Sequence, residues 1–149
     1  DATGRMLNWW TPEDLAHFKA SSAILAAQYS AYAPFPDLHL DGEMTLGENI
    51  ADTAGLAVAY DAYLASLHGA TAPVVDGLTG DQQFFLGFAQ GWRREDREQA
   101  LRNQVKTNEN APAEYRADTV RNIDGWYSAY HVEPGAKLYL APNDRAHIW

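Results

Sequence analysis

Residues 45–69, with the sequence TLGENIADTAGLAVAYDAYLASLHG, carry the strongest structural signal in this chain. The segment is mostly small and apolar and Gly69 provides a stop, so it predicts one long, closely packed helix. Glu48 and Asp52 are four residues apart and share a helical face, where two like charges repel by roughly a few tenths of a kcal/mol. A cation or a cationic partner would remove this conflict. Gly55, one turn later, would let another helix approach closely.

The sequence on either side predicts further helices. Residues 11–32, TPEDLAHFKASSAILAAQYSAY, predict a helix that is capped by Thr11 and has Pro12 in its first turn. Its apolar stripe consists of Leu15, Phe18, Leu25, Tyr29 and Tyr32. Residues 81–107, DQQFFLGFAQGWRREDREQALRNQVKT, predict a third helix. The aromatic side chains expected to face the core from this helix are Phe84, Phe85, Phe88 and Trp92. Residues 122–132, NIDGWYSAYHV, predict a short helix.

The remaining segments are punctuated by Pro, Gly and polar residues. Residues 33–44, 70–80 and 108–118 are predicted to be loops. The last segment, residues 133–149, is expected to lie extended over the surface, and Trp9 and Trp10 are expected to be packing anchors. No internal repeat, low-complexity tract or domain linker is evident, so we predict one mainly α-helical unit.

The composition limits the classes of function. The chain has 149 residues, 46% of them hydrophobic, which suffices for a packed core. A formal net charge of −9 argues against nucleic acid as a partner, because phosphate binding needs a basic patch and the cluster WRREDR is mixed in sign. The absence of Cys excludes disulfides and thiolate metal sites. No apolar run approaches the roughly 20 residues of a transmembrane helix.

A pair of acids on a helix is more commonly a solvated surface feature than a metal site, but the wider sequence favours the metal site. The stretch TLGENIADTAGL, residues 45–56, resembles the motif of the third zinc ligand in the neprilysin-type zinc metallopeptidases of the gluzincin class. Further stretches resemble the same family in the same order. They are DATGRMLNWW, QQFFLGFAQGWR, APAEYR and the terminal IW. The resemblance covers essentially the whole chain.

The resemblance implies a role for each acid of the pair. Glu48 would be a zinc ligand, and Asp52 would accept a hydrogen bond from a histidine that binds the same zinc ion. Zinc beside Glu48 and a polarised imidazole beside Asp52 would also remove the repulsion between the two carboxylates. The implied cofactor is therefore Zn²⁺, and the implied reaction is hydrolysis of a peptide bond with zinc as the Lewis acid.

Two parts of the family pattern are missing or altered. No HExxH motif is present, and the five histidines include no pair at the i, i+4 spacing that would place two imidazoles on one helical face. Asn110 replaces a family histidine that donates to the oxyanion, and Asn can donate a hydrogen bond but cannot carry a positive charge. Arg116 matches a family arginine that contacts substrate and orders the site. A surface arginine or a structural ion pair is the alternative interpretation of Arg116.

These observations predict that residues 1–149 are the C-terminal part of a metallopeptidase catalytic domain without its HExxH helix. The first residue is Asp1 and no targeting segment follows it, so we expect a processed product, a fragment or one piece of a longer polypeptide. The expected partners are a peptide substrate and an HExxH-bearing polypeptide, either a separate subunit or a cleaved N-terminal part. A periplasmic or extracellular location is implied by the resemblance.

Two functions of different classes remain open on the sequence alone. In the first, the chain supplies Glu48 and Asp52 to a zinc endopeptidase that another chain or segment completes. In the second, the chain is a non-catalytic peptide-binding or assembly module derived from the same fold, which the missing HExxH and the presence of Asn110 would favour. The presence of both acids favours the first, because a module without zinc has no evident physical need for either.

Overall fold

The computed structural model describes residues 2–148, and this part of the chain contains six α-helices and two short 3₁₀ helices. The α-helices are α1, Pro12–Ser30; α2, Leu46–Ser66; α3, Gly80–Gly91; α4, Glu98–Thr107; α5, Ala113–Ala117; and α6, Asp124–Tyr130. The 3₁₀ helices are Asp118–Asn122 and Pro142–Asp144. Extended pairing within residues 2–148 is limited to isolated bridges in two of the loops. The predicted mainly α class is therefore confirmed.

The first two helices begin where the sequence predicts. The hydroxyl of Thr11 accepts a hydrogen bond from the backbone N–H of Asp14 at 3.1 Å, and Pro12 follows in the first turn, where its missing N–H is not needed. Helix α2 begins directly after Thr45 and ends at Ser66. His68 and Gly69 then take positive φ angles of 49° and 80°, which turn the chain away from the helix axis.

Two hydrophobic clusters hold the described part of the chain together. The first joins α1, α4, α5 and the end of the chain, and its buried members include Leu25, Tyr29 and Ile148. The second joins α2, α3 and α6. Gly42, just before α2, lies so close to α1 that a Cβ there would be 2.0 Å from the carbonyl oxygen of Ala26. Only glycine fits at this position, and its close contact with α1 determines where the start of α2 lies relative to α1.

The prediction of one helix over residues 81–107 is wrong. This region forms α3 and α4, which are separated by a non-helical segment at residues 92–97. After Trp92 the run RREDR offers no apolar side chain that a continued helix would bury, and tertiary packing supplies most of the stability of a helix. The aromatic residues of α3 do face the second cluster, with Phe85 buried and its aromatic neighbours partly buried.

Two of the predicted irregular segments also differ from the structure. Residues 108–118 are not entirely a loop, because Ala113–Ala117 form α5 directly after Pro112. Residues 133–149 do not lie only on the surface, because Ala146 and Ile148 are 1% and 3% exposed and belong to the first cluster. In both cases a short segment is stabilised by contacts with distant parts of the chain, which local composition does not reveal.

The two adjacent tryptophans are only partly the anchors that we predict. Their rings stack with centroids 4.8 Å apart and Trp10 lies 5.1 Å from Phe18, but Trp9 is 74% exposed. Two terminal residues of the family-like stretches, Asp1 and Trp149, lie outside the described residues. None of the helices within residues 2–148 has the length and apolar character needed to span a membrane.

Candidate functional site

The two acids that the sequence singles out lie in the first two turns of α2. Glu48 is partly buried, and its carboxylate has no hydrogen-bond or ion-pair partner within residues 2–148. The side chain of Asp52, one turn later, is only 10% exposed. The helix therefore presents one carboxylate without a partner next to one that the fold largely encloses.

Asp52 forms a two-point ion pair with Arg116 from α5. The Nε and Nη2 groups of Arg116 donate to the two carboxylate oxygens of Asp52, each at 2.7 Å. This parallel arrangement matches the planar guanidinium to the carboxylate and is a strong form of charge-assisted hydrogen bond. An ionised carboxylate offers about four acceptor sites, of which Arg116 uses two. Asp52 therefore retains the capacity to accept a further hydrogen bond, such as one from a histidine.

Asn110 is the third member of this group of side chains. The Nη1 group of Arg116 donates to Oδ1 of Asn110 at 3.0 Å. Because a guanidinium only donates hydrogen bonds, Oδ1 of Asn110 has to face Arg116 and the amide NH₂ group points away from it. This NH₂ group has no protein partner within residues 2–148. Two N–H donors of Asn110 are thus available to a ligand.

Trp92, which the sequence predicts as part of the core, belongs to this site. The guanidinium carbon of Arg116 lies 4.1 Å from the centroid of the Trp92 ring, within the range of a cation–π contact. The non-helical segment that begins at Trp92 makes this contact possible. The sequence signal that could have identified it is the charged run RREDR, which directly follows Trp92 and ends the apolar periodicity of α3.

The neighbouring acids raise the pKa of Arg116 above its ordinary value. The main cause is its hydrogen bonds to Asp52; burial opposes the rise, and the negative charges of Asp52 and Glu48 add to it. Arg116 is therefore permanently charged and supplies a cation beside the two acids. Its charge offsets the repulsion between Glu48 and Asp52 that the sequence leads us to expect.

Helix α5 is too short to be stable by itself, and α1 holds it in place. The hydroxyl of Tyr29 donates to the carbonyl oxygen of Tyr115 at 3.1 Å and lies 2.7 Å from the hydroxyl of Thr119. Burial raises the pKa of Tyr29 well above its usual range, so this hydroxyl remains a neutral donor. Because Tyr115 directly precedes Arg116, this hydrogen bond fixes the backbone from which Arg116 reaches Asp52.

Asp118 lies two residues after Arg116 and links stability to pH. Burial raises the pKa of its carboxyl to about 6, the charge of Glu114 adds to the rise, and Lys137 and Arg121 oppose it. In the unfolded chain the pKa of an Asp is about 3.9. Between about pH 4 and pH 6 the Asp118 carboxyl is therefore protonated in the folded state but ionised in the unfolded state. The contribution of Asp118 to stability is therefore fully present below about pH 4 and is lost as the pH rises through about 6.

Asp118→Asn is expected to raise the thermal midpoint at pH 7.5 and to have little effect at pH 3.5, because the amide does not ionise and the Asp carboxyl is mostly neutral in both the folded and the unfolded chain at the lower pH. Differential scanning calorimetry at both pH values measures the difference. Glu133→Gln is the matched control, since it removes one negative charge from an exposed position. An equal gain at both pH values, or the same gain from Glu133→Gln, would contradict this assignment.

The described residues do not form a complete metal site. Within residues 2–148, no group of three or more His, Asp or Glu side chains is arranged to hold a metal ion. Glu48 nevertheless offers an oxygen donor with no competing partner, and a carboxylate is an ordinary zinc ligand beside two imidazoles. Glu48 therefore fits zinc as the source of one ligand, and a zinc ion bound there would need its other ligands from elsewhere than residues 2–148.

The face of α2 that carries the two acids continues as an exposed strip of small and apolar residues. The strip consists of Ala51, Gly55, Val58, Ala59 and Ala62. Beside it, an open groove of about 360 Å³ is lined by residues of α2 and by Phe84 and Phe88 of α3. Apart from the adjacent residues and backbone of α2 itself, a Cβ at Gly55 would have no neighbour within 4 Å among residues 2–148. A surface of small side chains such as this one permits close approach of another helix.

Comparison with known proteins assigns this chain to a class of peptidase. A protein-family model described as "Peptidase family M13" matches residues 1–146. The chain therefore belongs to peptidase family M13. This assignment agrees with the resemblance to neprilysin-type metallopeptidases that residues 45–56 indicate.

Individual relatives support the same assignment. The chain is 34% identical over 155 residues to membrane metallo-endopeptidase-like 1 of Mus musculus, covering 100% of this chain and 20% of that protein. It is also 34% identical over 155 residues to neprilysin of Homo sapiens, covering 98% of this chain and 20% of that protein. The crystal structure of the Mycobacterium tuberculosis zinc metalloprotease Zmp1 with an inhibitor matches with a TM-score of 0.95 and 40% identity, covering 100% of this chain and 24% of that chain. The chain thus spans about a fifth of the length of these curated relatives.

Proposed function

We propose that this chain is part of a zinc-dependent endopeptidase and supplies one of its metal ligands together with groups that face the substrate. The observation that carries the proposal is the Glu48 carboxylate, which has no protein partner in the described part of the chain and lies one helical turn from the ion pair of Asp52 and Arg116. Membership of peptidase family M13, and relatives whose names include metallo-endopeptidase, support hydrolysis of peptide bonds as the reaction.

Each side chain has a distinct task in this proposal. Zinc, when bound, supplies Lewis acidity and lowers the pKa of a coordinated water. Glu48 holds the metal through its carboxylate, and Asp52 uses its remaining acceptor sites to orient a ligand histidine. Arg116 keeps Asp52 in place. Asn110 directs its NH₂ group toward the substrate carbonyl, where a donor stabilises the developing oxyanion.

The remaining parts of the active site would come from an HExxH-bearing segment. The two histidines of that motif share one helical face, and its glutamate is the general base. The exposed strip on α2 supports this arrangement, because a second helix that packed along it would lie next to Glu48. The segment belongs either to the same polypeptide or to a separate subunit. The proposal includes a periplasmic or extracellular location, which the resemblance to exported bacterial members of the family implies.

The test of this proposal is the composition of the native assembly that contains the chain. Peptide sequencing by mass spectrometry is expected to find an HExxH-bearing segment, and metal analysis is expected to find about one zinc per site. The isolated chain is expected to bind zinc only weakly, because one carboxylate does not form a tetrahedral site. A native protein that consists of this chain alone, folded and without metal, would contradict the proposal and favour a non-catalytic peptide-binding or assembly module.

Asn110→His in the completed assembly is expected to raise kcat for a peptide substrate by roughly tenfold. The reason is that a charge-assisted hydrogen bond is about twice as strong as a neutral one, and removal of one oxyanion donor costs on the order of 10²–10³ in kcat. Steady-state kinetics with parallel zinc analysis measure the effect, and zinc content and KM are expected to change little. Asn110→Ala is the companion variant, with an expected loss of kcat. If neither substitution alters kcat, Asn110 does not approach the reacting carbonyl.

A further inference from the structure

A polar groove opens beside Arg116 and Asn110, between the end of α3, α4 and the loop before α5. Its volume is about 390 Å³, which lies within the roughly 300–1,000 Å³ typical of small-molecule sites. The side chains that determine its chemistry are Trp92, Arg93, Arg94, Gln104, Asn110 and Arg116. Because Arg116 and Asn110 also belong to the site on α2, this groove adjoins the position proposed for the substrate.

The lining of the groove is cationic, although the chain as a whole has a formal net charge of −9. Among the residues that the structure describes, the lining includes three arginines and no carboxylate. Two of these arginines are already neutralised, Arg116 by Asp52 and Arg94 by Asp96. Arg93 differs from them, because its exposed side chain has no ion-pair or hydrogen-bond partner within residues 2–148. Arg93 therefore brings to this groove a positive charge that no carboxylate within residues 2–148 pairs directly.

The polar groups beside Arg93 add hydrogen-bond donors. Arg116 uses three N–H groups toward Asp52 and Asn110, which leaves one on each of its Nη atoms. The NH₂ group of Asn110 adds two more donors that have no protein partner within residues 2–148. A ligand in the groove thus meets a guanidinium and several unused N–H groups. Such a set binds carboxylates well, because the guanidinium fork matches the two carboxylate oxygens.

We propose that this groove is a subsite for a carboxylate of the peptide substrate and that Arg93 selects it. The inference rests on the proposed peptidase function and adds a substrate class to it. A cationic substrate group would be repelled by Arg93, whereas an apolar group would displace water from Arg93 without pairing its charge. The carboxylate belongs either to an Asp or Glu side chain near the cleaved bond or to the C-terminus of a short peptide. Both sources share the same chemistry.

The test uses matched peptides and the native assembly. One series of pairs carries Glu or Gln at a single position within three residues of the cleaved bond, and another pair has a free or an amidated C-terminus. The wild-type assembly is expected to favour the carboxylate member of at least one pair by roughly tenfold in kcat/KM, mainly through KM, because a charge-assisted hydrogen bond is about twice as strong as a neutral one. The pair that shows the preference identifies the source of the carboxylate.

Arg93→Gln is expected to reduce this preference to about one, and raising the salt concentration is expected to weaken it in the wild type. Arg97→Gln is the matched control, since Arg97 lies in the same charged run but does not line the groove and should keep the preference. Equal hydrolysis of both members of every pair, or a preference that survives in Arg93→Gln, would overturn the subsite while the proposed function holds. If the assembly cleaves none of the peptides, the proposed function fails and this inference fails with it.

Discussion

Replacing Glu48 with alanine in the completed assembly is expected to remove zinc and peptide hydrolysis together. The carboxylate of Glu48 lies one helical turn from the ion pair of Asp52 and Arg116 and has no hydrogen-bond or ion-pair partner among residues 2–148. Loss of a direct ligand from a site with three protein ligands leaves two imidazoles, which do not complete a catalytic zinc site. The loss of kcat/KM should therefore exceed the roughly 10–100-fold effect typical of a residue that only supports a ligand.

The control for this experiment is Glu43→Ala. Glu43 is an exposed acid in the turn before α2, so the substitution removes the same charge without reaching the site. Metal content by atomic emission spectroscopy and hydrolysis of a reporter peptide are measured on both variants, and circular dichroism checks that α2 is intact. Full zinc content in Glu48→Ala would show that Glu48 is not a ligand, and the proposed role of α2 would have to be abandoned.

The features that the sequence predicts correctly are those with a local physical cause. Thr11 and Pro12 are adequate to place the start of α1, because the cap and the first turn involve only neighbouring residues. The bounds of α2 follow in the same way from its composition and from Gly69. The pairing of Glu48 with Asp52 on one face is likewise a consequence of helical periodicity alone.

The features that the sequence does not predict depend on contacts between distant segments. The sequence predicts that one helix continues through the charged run after Trp92, whereas the structure has a break there, and the contact of Trp92 with Arg116 accompanies this break. Arg116 and Asp52 are 64 residues apart, so no periodicity relates them. The sequence indicates that a positive charge is needed beside the two acids, but it does not identify the residue that provides this charge. Burial of Ile148 is also invisible locally, since it depends on the first hydrophobic cluster.

The second large effect is expected when the ion pair of Asp52 and Arg116 is broken. Asp52 contributes to the stability of the fold through this ion pair and is also predicted to support a zinc ligand. Asp52→Ala is expected to reduce zinc affinity or activity roughly 10–100-fold. It should also lower the free energy of unfolding by about 1–3 kcal/mol, since it leaves Arg116 partly buried without its acid. The side chains are 10% and 19% exposed, so water compensates for part of the lost interaction.

A double-mutant cycle separates these two effects. Arg116→Ala should cost stability through loss of the same ion pair, and the double variant should cost less than the sum of the single variants. Zinc affinity should respond differently, with Asp52→Ala weakening it much more than Arg116→Ala. Asp37→Ala is a matched control, because Asp37 pairs with Arg102 through both oxygens but is 69% exposed and should lose little stability and no zinc. If Asp52 served only to pair with Arg116, Asp52→Ala and Arg116→Ala would lower the free energy of unfolding by similar amounts, and neither variant would change zinc affinity. That result would contradict the predicted role of Asp52 at the metal.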